Sequence, residues 1–234
     1  MWKILDTGKR PAADNMHIDS ELLRSLKPYD SPILHFYEWE GLSATYGYFT
    51  KIDRFFDIPK AKKIPMHFAK RPTGGGIIFH IWDLAFSVLL PSGHKSFSIN
   101  TLENYRRIND AVLEAVKIFF NTKASLLPSD PVEEGCAKFF CMAKPTVYDV
   151  MHEGKKIAGA SQRRQKQGLL HQGSISLASP KWDLLEEILL PEAKILEAMR
   201  RTSYYILGPG WTEKQLGDLR LDVREQIKKT ITAI

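Results

Sequence analysis

Cysteine is nearly absent from this chain: Cys136 and Cys141 are the only two. Their spacing gives neither a disulfide framework nor a zinc site, and it fits a reduced compartment. No apolar run is long enough to cross a bilayer. The opening MWKILDTGKR lacks the charged-then-apolar order of a signal peptide. Helix-turn-helix, zinc-finger and RNP signatures are missing too, as are a P-loop and a dinucleotide fingerprint. A soluble cytoplasmic protein with no membrane and no nucleic-acid partner is therefore expected. The formal charge is +6. Because the cations are dispersed among acids rather than gathered in a block, that charge points to anionic small molecules or an acidic protein.

What is present is an ordinary globular composition, 44% hydrophobic, enough for a sizeable core. The periodicities predict a strand over Trp2–Asp6, a helix over Met16–Leu26 capped by Asp14, and strands over Ile33–Trp39 and Ala44–Phe49. A loop with one helical turn is expected over 51–65. Phe79 and Leu84–Leu90 read as neighbouring strands. The clearest helix is Leu102–Phe120, with Tyr105, Ile108, Val112 and Val116 on one face. After an irregular stretch over 125–141, Val147–Met151 and Lys156–Gln162 form a hairpin. Arg163–Lys166 is its turn into a third strand, Gly168–Leu177. Helices over Leu184–Leu190, from Pro191 to about Tyr205, and from Thr212 onward complete an α+β chain read as a single domain over 1–234.

The chemistry concentrates in KRPTGGGIIFHIWDLAFS, residues 70–87. Three glycines permit positive φ and close approach to a ligand, two cations precede them, and a β-branched strand leaves them. Such a turn can seat a phosphate or carboxylate. It can equally be a glycine-rich hairpin with incidental charge. Gly47, inside a predicted strand, marks a bulge or a close ligand approach.

Paired with GKKIAGASQRRQKQGLLHQGSISL, residues 154–177, this stretch resembles the lipoate–protein ligase A family and its relatives, the octanoyltransferases and biotin ligases. The first matches that family's R-R-x-[ST]-G-G-G-x-V-x-H element, with Lys70 for the first Arg. The second matches G-x-K-[IV]-x-G-x-[AS]-Q followed by L-L-H-[HQ]-G. Asn15-Met16 and Asp19–Leu23 fit the family's first helix.

The resemblance implies a class II ligase-like catalytic domain, with mixed, mostly antiparallel sheets flanked by helices around a ligand tunnel. It implies ATP with Mg2+ as cofactors and lipoate as substrate. Lipoyl-AMP would form first, and the acyl group would then pass to a lysine of an apo lipoyl domain. The acceptors would be the 2-oxoacid dehydrogenase complexes or glycine cleavage protein H. Residue by residue, Arg71 would contact the nucleotide, Gly74, Gly75, Gly76, Ile77, Ile78 and Phe79 would line the adenylate, and Lys156 would be the central cation. No metal ligand from the protein is implied. Independently, a compact ammonium at a carboxylate–phosphate junction offsets the repulsion between two anions. Lys155 is the better candidate for a merely solvated lysine. His80 and Asp83 belong to a possible pocket with Gly47. Ser87 can hydrogen-bond there, and His171 reads as a packed histidine.

Cys141 opens a second reading. One octanoyltransferase branch uses a cysteine before the lysine motif in a C-x-x-x-P context, as in CMAKP here, to carry octanoyl as a thioester without ATP. That branch has Arg where this chain has Gly76, so the ligase is preferred at this stage. A biotin ligase lacks its G-R-G-R element here. A silent basic binding module is disfavoured by the presence of both Arg71 and Lys156. No C-terminal accessory domain is apparent, so a separate accessory subunit is a further possible partner.

Overall fold

A computed structural model describes residues 1–120, 124–130, 140–142, 144–191 and 194–234. Cys136 and the turn expected at 133–135 lie outside the described residues. A seven-stranded sheet runs in the order β1 (Lys3–Arg10), β2 (Ile33–Trp39), β6 (Asp83–Pro91), β10 (Gly168–Ser176), β9 (Lys155–Gln165), β8 (Val150–His152), β7 (Ala124–Leu126). A smaller sheet has the order β4 (His67–Lys70), β3 (Ser43–Tyr46), β5 (Ile77–His80). Among the described strands, β1–β2 and β3–β4 are the pairs that run parallel. Mixed, mostly antiparallel sheets flanked by helices are thus what the fold contains.

The alternation along β6 shows how the layers are sorted. Leu84, Phe86, Val88 and Leu90 join the main core, with Ile108, Val112 and Val116 of α3 (Thr101–Lys117) and Leu216, Val223 and Ile227 of α6 (Glu213–Ile231). Ala85 and Leu89 face the other way, toward Met16 and Leu23 of α1 (Ala12–Ser25). A strand puts successive side chains on opposite faces, so one strand serves a dry core and a polar interior at once.

Several expectations need correcting. Phe79 and Leu84–Leu90 are not paired neighbours: β5 and β6 belong to different sheets, and the short Ile81–Trp82 link carries the chain between them. Of the turn expected over Arg163–Lys166, Arg163–Gln165 belong to β9, and Lys166 with Gln167 makes the turn into β10. Asp14 sits in the first turn of α1, and Pro11 holds the cap position, in keeping with proline's fixed φ. The 51–65 stretch holds a 3-10 turn over Ile52–Arg54 and α2 (Ile58–Lys63), capped by Asp57. Short helices follow as α4 (Trp182–Ile188) and α5 (Ile195–Thr202). Thr212 caps α6 as expected, in a reciprocal capping box with Gln215.

Candidate active site

The two sheets meet at the glycine turn. Of its three glycines, Gly75 is the one at positive φ, +84°. A Cβ there would stand 3.2 Å from Arg71 Nη2 and 3.4 Å from Cys141 Sγ. Gly47 answers to the same turn: a Cβ on it would lie 1.9 Å from the Gly75 carbonyl oxygen. Its glycine is therefore required by backbone meeting backbone, with Gly47 N donating to Gly76 O at 3.2 Å.

Arg71 is buried at 4% exposure and clamps this turn from beneath. Its Nη2 donates to the Gly74 and Gly76 carbonyls, at 3.0 and 2.7 Å, and its Nη1 donates to Thr45 Oγ1 at 2.8 Å. Its Nε is buried without a partner among the described residues. Thr45 Oγ1 accepts from Arg71, so its own proton is free for His80 Nε2, 2.7 Å away. His80 Nδ1 then donates to Asp83 Oδ2 at 2.7 Å, which also accepts from Ser174 Oγ at 2.7 Å. Trp39 stacks on the His80 ring with centroids 3.9 Å apart. Side chains on β5 alternate accordingly: Ile77 and Phe79 pack into the core, whereas Ile78 and His80 face the site.

Lys156 on β9 is 3% exposed, while Lys155 is partly exposed as its reading required. Every donor of the ammonium has an acceptor: Asp149 Oδ2 at 2.7 Å, the Cys141 carbonyl at 2.7 Å and the Lys144 carbonyl at 3.4 Å. Asp149 is fully buried. It also accepts from Thr146 N at 2.7 Å and from Tyr105 OH at 2.7 Å. Burial, followed by the charge of Asp149, holds the Tyr105 phenol well above its ordinary range, so it remains a donor. The pair is packed against Gly159, where a Cβ would approach Lys156 Cε to 2.4 Å and Asp149 Oδ1 to 2.7 Å.

Cys141 is held on the other sheet. Its backbone N donates to the Ile77 carbonyl at 3.0 Å, and its Sγ stands 3.8 Å from Arg71 Nη2. Cys141, Lys156, Arg71, Thr45, His80 and Ser174 all line one small cavity of about 20 Å³. That is room for about one water, so an acyl chain enters only if side chains such as Met16 and Met142, which share the lining, yield. Flexible thioethers do so readily. Among the described residues no group of three or more His, Cys, Asp or Glu is placed to hold a metal ion.

A second buried network braces the floor. Thr73 Oγ1 donates to Gln172 Oε1 at 2.6 Å, and Gln172 Nε2 donates to Asp19 Oδ2 at 2.6 Å. Asp19 also accepts from Ser87 Oγ at 2.5 Å and pairs with His35 Nδ1 at 2.9 Å. Ser87 therefore serves α1 rather than the cavity. His171 is fully buried, and its Nδ1 donates to the Gln162 side-chain oxygen at 2.8 Å. Desolvation holds it down to about 3, so it is a neutral packed histidine.

The structure thus brings together Arg71, the glycines, Ile78, His80, Asp83, Cys141 and Lys156. Sequence reasoning missed Thr45, Tyr105 and Asp149. Gly159 stood inside the quoted motif, and its second glycine was the available signal. For Tyr105 there was none, because its partner Asp149 is remote in the chain; for Asp149 the available signal was its place in the hairpin arm opposite Lys156.

The profile described as lipoyl protein ligase A/B catalytic domain matches residues 11–204. The chain belongs to that family. Curated relatives are similar along most of its length. Octanoyltransferase LipM of Geobacillus kaustophilus is 31% identical over 211 residues, covering 86% of this chain and 74% of the relative. The LipM of Staphylococcus aureus is 33% identical over 180 residues, covering 74% and 65%. Among solved structures, Ta0514 of T. acidophilum with bound lipoic acid has a TM-score of 0.72 at 23% identity, covering 99% of this chain and 86% of that one. A bi-partite lipoate protein ligase from Thermoplasma acidophilum, solved with its E2 lipoyl domain, has a TM-score of 0.69 at 24% identity, covering 99% and 84%. At those identities the structural likeness shows a shared fold. As a member of this family the chain is an enzyme of the lipoate ligase and lipoyl/octanoyl transferase kind. No helix among the described residues is long and apolar enough to cross a membrane.

Proposed function

We propose that the protein is an octanoyltransferase that carries the acyl group on Cys141 and delivers it to a lysine of an apo lipoyl domain. The observation that carries this reading is the place of Cys141. Its thiol shares a cavity with Lys156 and Arg71 and lies against the glycine turn, where a cysteine serving only the core has no reason to be. The octanoyltransferase activity of the LipM relatives supports it. Sequence alone favoured the ligase, through Gly76. The cavity position of the thiol moves the weight to transfer.

In the first step the Cys141 thiolate attacks the carbonyl of an octanoyl thioester. A new thioester forms on Sγ as the bond to the carrier sulfur breaks, and the carrier leaves as its thiolate, which takes up the proton that Cys141 gave up. In the second, the neutral amine of the acceptor lysine attacks that carbonyl, an amide forms, and Cys141 is released as thiol. The Lys156 ammonium, fixed by Asp149, supplies positive charge beside the carbonyl oxygen as it gains charge. Arg71 keeps the glycine turn in register against Cys141. Acceptors are lipoyl domains of 2-oxoacid dehydrogenase complexes or glycine cleavage protein H, and the compartment is the cytoplasm.

One observation favours the ligase as a second reading. A Cβ on Gly74 would meet nothing within 4 Å, so the turn borders open space from which a nucleotide phosphate can reach its backbone. ATP with its Mg2+ would then activate lipoate, with Lys156 facing the carboxylate and the turn holding the phosphate. In that case Cys141 only packs. A separate accessory chain belongs to this reading alone.

The deciding experiment incubates the protein with octanoyl-carrier protein or with lipoate and MgATP, adds an apo lipoyl domain, and weighs both proteins. Transfer predicts a hydroxylamine-sensitive octanoyl adduct on Cys141 and acylation without ATP, both lost in Cys141→Ser. ATP-dependent lipoylation that survives Cys141→Ser would replace transfer with the ligase.

A further inference from the structure

A second cavity lies where the large sheet splits. β2 and β6 pair only from Ile33↔Leu89 to Phe36↔Phe86. Past that point β2 stays with β1, Trp39 opposite Arg10, while Asp83–Ala85 stay with β10. The two strands part like a fork, and a cavity of about 220 Å³ fills the gap. This is below the ~300–1,000 Å³ of drug-sized pockets, so it suits a smaller guest. Its inner wall includes Trp39 and His80, which also line the active-site cavity. Its outer side is formed by α6, and Leu221 there is 62% exposed.

The fork has an apolar body and a cationic mouth. Phe36, Leu84 and Leu221 line the body, and Lys9, Arg220 and Arg224 stand with them against the acids Glu38 and Asp83. Arg220 closes the split: its Nε donates to the Asp83 carbonyl at 3.0 Å and its Nη2 to the Ile81 carbonyl at 2.6 Å. These bonds leave its Nη1 hydrogens for a guest. Arg224 lies 4.6 Å over the Phe36 ring while its Nη2 meets Asp6 Oδ2 at 2.5 Å.

We propose that this fork is a second ligand site, for a medium-chain carboxylate. The carboxylate sits at Arg220 and Arg224, and the chain runs inward along Phe36 and Leu84 toward Trp39. Polarity fixes that direction. An acyl chain entering from the active site would bring its apolar end to the two guanidiniums, whereas a free acid entering from α6 meets them with its charge. The site stands apart from the transfer reading, because its occupancy needs neither Cys141 nor turnover.

Calorimetry with octanoate and octan-1-ol as probes tests it on the intact chain. Octanoate binds wild type at least about tenfold more tightly than octanol. Lys9→Gln with Arg224→Gln, and separately Leu221→Glu, weaken octanoate about tenfold or more, while Lys214→Gln, an exposed lysine of α6 outside the fork, leaves its affinity unchanged. Thermal melts confirm that each variant is folded, and Leu221→Glu alters a solvent-facing position that the core does not need. The proposal is overturned if wild type binds no octanoate, if octanol binds equally well, if Leu221→Glu has no effect, or if Lys214→Gln abolishes binding.

Discussion

Two carboxylates are buried side by side with the chemistry, and they are balanced in opposite ways. Asp149 is answered by a full charge, the Lys156 ammonium at 2.7 Å. Asp19 is answered by a ring of hydroxyls, an amide and the His35 ring. A buried carboxylate without partners is costly, so both must be satisfied, but satisfaction by an ammonium also fixes a cation in place. Asp149 therefore belongs to the machinery, whereas Asp19 fastens α1 to the sheet beneath it. The same residue type, equally buried, does different work according to its partner.

Breaking the charged pair gives the largest effect. Lys156→Ala removes the cation and strands Asp149, so acyl transfer falls by about a thousandfold or more and stability by roughly 3–5 kcal/mol. A variant that is folded in its melting curve and retains wild-type turnover would remove Lys156 from the mechanism. Gly159→Ala comes next. The added methyl collides with the pair while removing no charge, so activity should fall about a hundredfold with roughly 1–3 kcal/mol of overpacking strain. Steady-state rates and denaturant titration of the same preparation separate the two.

The neutral network should respond the other way round. Asp19→Asn weakens charge-assisted bonds to Ser87 and Gln172, and costs about 2 kcal/mol with less than about a tenfold change in rate. An equal loss of rate for Asp19→Asn and Lys156→Ala would erase the distinction between the two carboxylates. Tyr105→Phe removes one of the bonds to Asp149 and should cost about 1 kcal/mol, with a rate loss between those of Asp19→Asn and Gly159→Ala.

The smallest effect near neutral pH is the titration of His171. Its folded value is held at about 3 and its ordinary value is 6.5, so the unfolded chain binds the proton first. The folded state keeps this contribution above about pH 6.5 and loses it as pH falls toward 3. At about pH 4 the loss is roughly 3 kcal/mol. His171→Gln should flatten that limb of the stability curve, measured by urea titration across pH, and an unchanged slope would refute the assignment.

Local rules made much of this protein legible beforehand. A β-rich, aromatic run marked β2 to the residue, and the 3.6-residue stripe marked α3 within a few positions. The two motifs pointed to the glycine turn and to Lys156. Glycine spacing and periodicity are local signals, since they state what one segment's backbone can do. Which strands share a sheet is a different question. Phe79 and Leu84 are close in the chain and share one core, yet a two-residue link carries them into separate sheets. Gly47 needed the Gly75 carbonyl beside it before its lack of a side chain had a reason. Tertiary structure alone decided that Tyr105 would meet Asp149, and that Cys141 would face the cavity beside Arg71 rather than the core. Those contacts join residues distant in sequence, and their energies exist only once both are buried together.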